Sequence, residues 1–185
     1  TWQMWFKVVV ACVPAGVIGL LLNDFMEKFE NWLVVSAMLI IYGVAFIIVE
    51  RLQKKTTIAT MNQMSYKTAL TIGAFQVLSI IPGTSRSGST ILGGMLAGCS
   101  REIAAEFSFF LAIPVMVGVS LIKILTFEGT IEWGLLAVGM IVSYIVSMIA
   151  IKFLMNYVRK HSFASFGWYR IVLGALVLLY FGLVA

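Results

Sequence analysis

The sequence predicts an all-α, polytopic membrane helical bundle with one re-entrant helical hairpin. Three observations carry that prediction. Of 185 residues, 61% are hydrophobic and only 11% charged, against about 45–50% and about 25% in soluble domains. Long apolar runs recur at lengths that match a hydrocarbon core of about 30 Å. One segment breaks the pattern, because its apolar arms are too short to cross and they enclose a polar turn. A mean hydropathy of +1.02 excludes a soluble globular domain and a disordered chain. The formal charge of +5 rests on too few residues to read as a nucleic-acid surface. It fits loops held at the cytoplasmic membrane face.

The first apolar run covers residues 6–22, before a polar loop at 23–31 with Asp24, Glu27, Lys28 and Glu30. The second covers 32–49 and stops at Glu50-Arg51, ahead of a basic, polar stretch to Lys67 that includes Lys54 and Lys55. The third covers 103–125, followed by a loop with Glu128 and Glu132. The fourth covers 133–154 and ends at Asn156, Arg159, Lys160 and His161. The last covers 168–185. Each run has about 17–23 residues, enough to span a bilayer. Residues 1–185 therefore read as a single transmembrane domain with five full spans.

Residues 67–99 form the exception. A first arm at 68–81 gives about 21 Å of helix and a second at 89–98 about 15 Å. Between them lies Pro82-Gly83-Thr84-Ser85-Arg86-Ser87-Gly88. Irregular backbone at membrane depth is tolerated only where protein or a water-filled cavity satisfies it, so the tip is expected to line a cavity. If the hairpin returns to the side it entered from, one face collects Lys7, Arg51, Lys54, Lys55, Lys67, Arg101, Lys152, Arg159, Lys160 and Arg170. The positive-inside rule puts that face in the cytoplasm. Trp32, Trp133 and Trp168 near span ends fit interfacial anchors. Val13-Pro14 with Gly19 and Ile113-Pro114 with Gly118 look alike, a match too short to define a repeat. Cys12 and Cys99 have no metal-ligand spacing and read as thiols within the membrane domain. Residues 1–7 lack the charged start and cleavage site of a secretory leader, and the chain is expected to lack an N-terminal part of the protein.

Arg86 is the most informative residue. A lone Arg at membrane depth costs about 2.5–3.5 kcal/mol on insertion scales and is normally paired or functional. Around it stand the hydroxyls of Thr84, Ser85, Ser87, Ser89 and Thr90. Gly83 and Gly88 permit tight turns and close backbone approach. The second arm starts here, so its free N–H groups point into the tip. Together these make an anion site, and a bidentate guanidinium suits phosphate. The alternative is a packed hinge in which Arg86 ties helix-end carbonyls. A P-loop is excluded because Ser89 stands where the Lys of G-x-x-x-x-G-K-[ST] belongs. The acid-phosphatase type of lipid phosphatase is excluded too: its His and Asp positions hold Leu92 and Leu96.

Phe75-Gln76, the tip with Ser89-Thr90, and residues 106–114 (Glu-Phe-Ser-Phe-Phe-Leu-Ala-Ile-Pro) together resemble the undecaprenyl pyrophosphate phosphatase, or bacitracin-resistance, family. The element P-G-x-S-R-S-x-x-T is highly specific for it, and the similarity runs through essentially the whole chain. The resemblance implies an inverted-repeat fold in a bacterial inner membrane, with the active site opening towards the outer face. It implies hydrolysis of undecaprenyl diphosphate to undecaprenyl phosphate and phosphate, which recycles the lipid carrier for peptidoglycan synthesis and confers bacitracin resistance. It assigns Arg86, Ser85 and Thr90 to catalysis, with Gly83, Thr84, Ser87 and Gly88 in the surrounding loop. It further implies a divalent cation, Mg²⁺ or Ca²⁺, and it leaves room for a homodimer. The family's other motif, E-x-x-x-E followed by P-x-S-S-x-G-H, has no match here, so no metal ligands are expected in this chain and the 185 residues alone are expected to be inactive.

Gln76 on the first arm and Glu106 in the third run are further substrate-side candidates. Each has a plainer reading, a packing hydrogen bond or an acid paired with Arg101. His161 reads as a solvated interfacial residue. The expected partners are a polyprenyl diphosphate lipid and the bilayer, with no nucleic acid. A second class stays open: a carrier that moves a polyprenyl phosphate across the membrane, since broken helices at mid-membrane also characterise transporters.

Overall fold

A computed structural model describes residues 2–28, 30–52, 56–129 and 131–184. Lys54 and Lys55 of the expected basic loop lie outside them, as do Thr1 and Ala185. Seven helices follow in order: α1 (Trp2–Glu27), α2 (Trp32–Leu52), α3 (Tyr66–Val77), α4 (Arg86–Leu96), α5 (Arg101–Leu125), α6 (Trp133–Lys160) and α7 (Ala164–Val184). Short 3₁₀ turns precede and follow α3. Five of the helices are long and apolar enough to cross a membrane, as the hydropathy runs predict.

The ends differ from the apolar runs, because helix caps and not hydropathy set them. Ser100 caps α5, its Oγ accepting from the Ile103 amide at 3.2 Å, so the helix starts at Arg101. Helix α1 continues to Glu27 through part of the stretch expected to be a loop; nothing there breaks the backbone ladder. Helix α6 runs past the apolar stretch to Lys160.

Helices α3 and α4 are the short arms. Ser65 caps α3, its Oγ accepting from the Thr68 amide at 3.1 Å. Ser85 caps α4, its Oγ accepting from the Gly88 amide at 3.1 Å. The second arm therefore begins at Arg86 rather than Ser89, and half of the expected irregular tip is the first turn of a helix. The 12 residues of α3 and 11 of α4 give about 18 Å and 16 Å, too little to cross. Their open ends meet. Ile58 bridges Cys99, and the Thr57 and Ile58 amides both donate to the Gly98 carbonyl at 3.0 Å. The segment thus leaves at the end where it entered.

That end is also where the ion pairs gather. Arg101 pairs with Glu50, whose Oε2 accepts from the Phe163 amide at 3.3 Å. Arg159 pairs with Glu102 at 2.7 Å. These contacts join the end of α2, the start of α5, the end of α6 and the chain leading into α7, the same grouping that the charge map predicts. Arg170 is the departure from that map, described below.

Helices α1, α3, α4 and α5 enclose the core, where Ile72, Ala69, Phe107 and Leu111 are fully buried. Residues 88–95 of α4 are buried throughout. Helices α2 and α7 form a second, tightly packed pair. A Cβ on Gly167 would lie 2.6 Å from the Gly43 carbonyl oxygen, so the two backbones nearly touch. The α4 hairpin tip rests between this pair and the α1–α5 side.

Candidate functional site

The tip has two faces. On one, Arg86 lines a cleft of about 670 Å³ together with Cys12, Gln76, Ser79, Pro114 and Gly118. Its walls come from α1 and α5. Proline interrupts both helices, Pro14 in α1 and Pro114 in α5, close to where they face the cleft. The two look-alike Pro-Gly stretches thus stand on opposite walls of one cavity. No other atom would meet a Cβ built on Gly16, Gly19 or Gly118, so these glycines border open space.

Arg86 is half-buried, and its Nη1 is buried with no hydrogen-bond partner among the described residues. The packed-hinge reading ties Arg86 to helix-end carbonyls, and Nη1 holds none among the described residues. The amides of Arg86 and Ser87 have no acceptor among the described residues either, as the first turn of a helix dictates. Ser85 Oγ and Ser87 Oγ lie 3.1 Å apart at the exposed edge of the tip. A guanidinium nitrogen, two amides, two hydroxyls and a helix dipole are thus clustered at residues 85–87, and of these three residues Arg86 is the one found among the described lining of the cleft. Gln76, expected on the substrate side, is buried and does line this cleft.

Other candidate residues are placed differently. Thr90 is buried, and its Oγ1 donates back to the carbonyls of Arg86 and Ser87 at 3.1 and 3.0 Å. The same Oγ1 lies 2.7 Å from Ser108 Oγ, a hydrogen bond between the two hydroxyls. Thr90 thus locks α4 to α5 and does not reach the cleft. Thr84 Oγ1 donates to the carbonyls of Leu78 and Ile81 at 2.9 and 2.7 Å, closing the turn before the tip. Glu106 faces a separate cleft of about 930 Å³ between α5 and α6, with Lys152 and Arg159. An α-helix turns 100° per residue, which carries Glu106 away from the side of α5 that holds Pro114 and Gly118. Arg101, its expected partner, pairs with Glu50 instead. His161 is exposed and stacks on Tyr157, ring centroids 4.5 Å apart.

Gly83 and Gly88 serve the other face. Gly83 has φ +86°, and a Cβ there would lie 2.6 Å from Val35 Cα. The turn is pressed onto the α2 backbone, and only glycine fits both conditions. Gly88 has the Phe46 ring on the same side.

Sequence reasoning missed Ser79, Tyr42 and Arg170. Ser79 lines the Arg86 cleft and donates to the Gln76 carbonyl at 2.6 Å. Arg170 was placed with the cytoplasmic loops, yet its Nη2 donates to the Gly83 carbonyl at 2.9 Å. The signal that could have found it is the one that marked Arg86: a charge inside an apolar helix.

The described residues that line the Arg86 cleft include no carboxylate and no imidazole. Among the described residues no three His, Cys, Asp or Glu side chains gather. Hard divalent cations take oxygen ligands, carboxylates above all. The donors present among the described residues do not fit the divalent cation that the resemblance implies. A larger hollow of about 1120 Å³ between the far ends of α5 and α6 has mainly apolar walls, with Lys123, Glu132, Ser143 and Tyr144 among its lining.

Fold and cleft together define a polytopic membrane protein that holds an arginine, at a helix N-terminus, in a cleft between α1 and α5. The chain belongs to the Bacitracin resistance protein BacA family, which matches residues 1–176. It is 55% identical to the Undecaprenyl-diphosphatase of Lactobacillus delbrueckii subsp. bulgaricus, over 96% of this chain and 68% of that protein. It is 52% identical to the Undecaprenyl-diphosphatase of Lactiplantibacillus plantarum, over 100% of this chain and 70% of that protein. The Undecaprenyl-diphosphatase of Enterococcus faecalis is 53% identical over 97% of this chain.

Proposed function

We propose that the protein hydrolyses undecaprenyl diphosphate to undecaprenyl phosphate and inorganic phosphate, recycling the carrier lipid for cell-wall synthesis and so conferring bacitracin resistance. The observation that carries this reading is the Arg86 Nη1 at the head of α4, buried without a partner among the described residues, in a cleft whose other walls are largely apolar. A lipid diphosphate has matching halves, a multiply charged head and a hydrocarbon tail. Its head would meet Arg86, the Ser85 and Ser87 hydroxyls and the α4 amides. Its tail would lie along the glycine-bordered walls. In the reaction water oxygen adds to the terminal phosphorus, the bridging P–O bond breaks, and undecaprenyl phosphate leaves.

Phosphoryl transfer depends mainly on positioning and on neutralising charge that spreads over the transferring oxygens. A forked guanidinium holds two such oxygens at once. The names of the similar proteins support the substrate. The site would open towards the outer face of the bacterial inner membrane. The tip points away from the end where Arg101, Arg159 and Lys160 gather, and the positive-inside rule assigns that end to the cytoplasm.

Purified full-length protein in detergent is expected to release phosphate from undecaprenyl diphosphate, measured colorimetrically against a protein-free control. Absence of release sinks the hydrolase reading and favours a carrier. The cleft itself can be probed through its thiol. Cys12 lines it beside Arg86, whereas Cys99 is fully buried at the hairpin foot. A small methanethiosulfonate reagent is expected to modify Cys12 first and to abolish turnover, and undecaprenyl diphosphate should protect against both. Equal labelling with and without the lipid would place substrate elsewhere.

A further inference from the structure

We infer that Arg170 is a positioning residue for this reaction: it holds the hairpin tip from behind so that Arg86 and the α4 amides face the substrate. The inference rests on the hydrolase reading above. Arg170 lies two turns into α7, which starts at Ala164, and belongs to neither wall of the Arg86 cleft. Its Nη2 donates to the Gly83 carbonyl at 2.9 Å. Its guanidinium sits over the Tyr42 ring, 5.7 Å from the centroid. The same Tyr42 accepts a hydrogen bond from Ser89 Oγ at 2.9 Å. One side chain thus grips the tip at the Gly83 turn directly, and at the first turn of α4 through Tyr42.

The two attachment points bracket Ser85, Arg86 and Ser87. Between them the Ser85 cap and the Thr90 hydroxyl hold the turn within α4 itself, whereas the contacts through Arg170 and Tyr42 tie that turn to α2 and α7. A carbonyl fixed at Gly83 and a hydroxyl fixed at Ser89 set the direction of the α4 axis and the rotation of its first turn. Those two quantities decide where Arg86 points. The Nε of Arg170 is buried without a partner among the described residues. A charge placed there with a donor left over is a poor way to gain stability. Its geometry makes sense as orientation, which the planar fork supplies and a flexible ammonium does not.

A positioning residue acts on the transition state, and misplacement by about 1 Å can lower turnover by about 10²-fold. Steady-state kinetics of the full-length protein on undecaprenyl diphosphate test this with wild type, Arg170→Gln, Arg86→Lys and the double variant. Arg170→Gln is expected to lower kcat by about 10- to 100-fold with KM within about threefold. In the Arg86→Lys background the same change should lower kcat by less than about threefold, because the group it positions is already lost. Arg170→Lys, which keeps one donor and the contact with the ring, should recover part of kcat.

A purely structural role would lower the amount of folded protein and leave kcat per active molecule unchanged. An unchanged kcat in Arg170→Gln, or fully multiplicative losses in the double variant, overturns the inference while leaving the hydrolase reading intact. If Arg170→Gln does not fold, Arg170→Lys alone and combined with Arg86→Lys decides by the same criterion. A wild type that releases no phosphate removes the hydrolase reading and this inference with it.

Discussion

Replacing Arg86 with lysine is expected to lower kcat/KM for phosphate release by about 10²–10³-fold, the usual effect of removing one preorganised donor to a developing oxyanion. Lysine keeps the charge, so the loss isolates geometry. Its ammonium is a single point on a flexible stem, whereas the guanidinium offers a planar fork. Nη1 of Arg86 is buried without a partner among the described residues, so the fork is aimed before substrate arrives and needs no reorganisation. The ammonium would be free to turn towards nearby carbonyls. Kinetics on detergent-purified protein measure the effect. Turnover within about threefold of wild type would take Arg86 out of the chemistry and return the tip to a packing role.

The second large effect is expected at Gly83, and it is one of shape. Gly83→Val puts a β-branched residue at φ +86° and drives its Cβ to 2.6 Å from the Val35 backbone. Strain at such a φ costs about 1–3 kcal/mol, and overpacking costs about 1–3 kcal/mol more. A loss of about 2–6 kcal/mol should appear as earlier thermal unfolding in detergent, with phosphate release lost as the tip leaves its seat. Gly134→Ala makes a control, since a Cβ there meets nothing within 4 Å. If Gly83→Val unfolds no earlier than that control, the tip does not press on α2.

The spans were legible in the sequence because hydropathy is a local property: a run of apolar residues needs no partner to declare itself. The tip was legible because Arg86 and its neighbours contradict their surroundings. The ends of helices were less so. Whether Ser85 would cap α4 or stay in a loop depends on its backbone reaching an extended conformation, and the composition of 82–88 does not state that. Roles that arise between distant segments were illegible. Thr90 carries the same hydroxyl whether it meets a ligand or Ser108, and only the packing of α4 on α5 decides. Arg170 sits near the end of an apolar run, where a charge is ordinarily interfacial. Its reach to Gly83 exists only because α7 packs so closely on α2.

The hairpin foot fixes more than the path of the chain. With Ile58 and Cys99 joined, the 11 residues of α4 become a measuring rod that sets both the depth and the compass bearing of Arg86. One residue added near Gly94 would raise the guanidinium by only about 1.5 Å but swing it by about 100°, out of the opening. Four added residues would restore the bearing to within about 40° yet lift it by about 6 Å. The length of this rod is therefore as much a part of the catalytic design as the residue at its end.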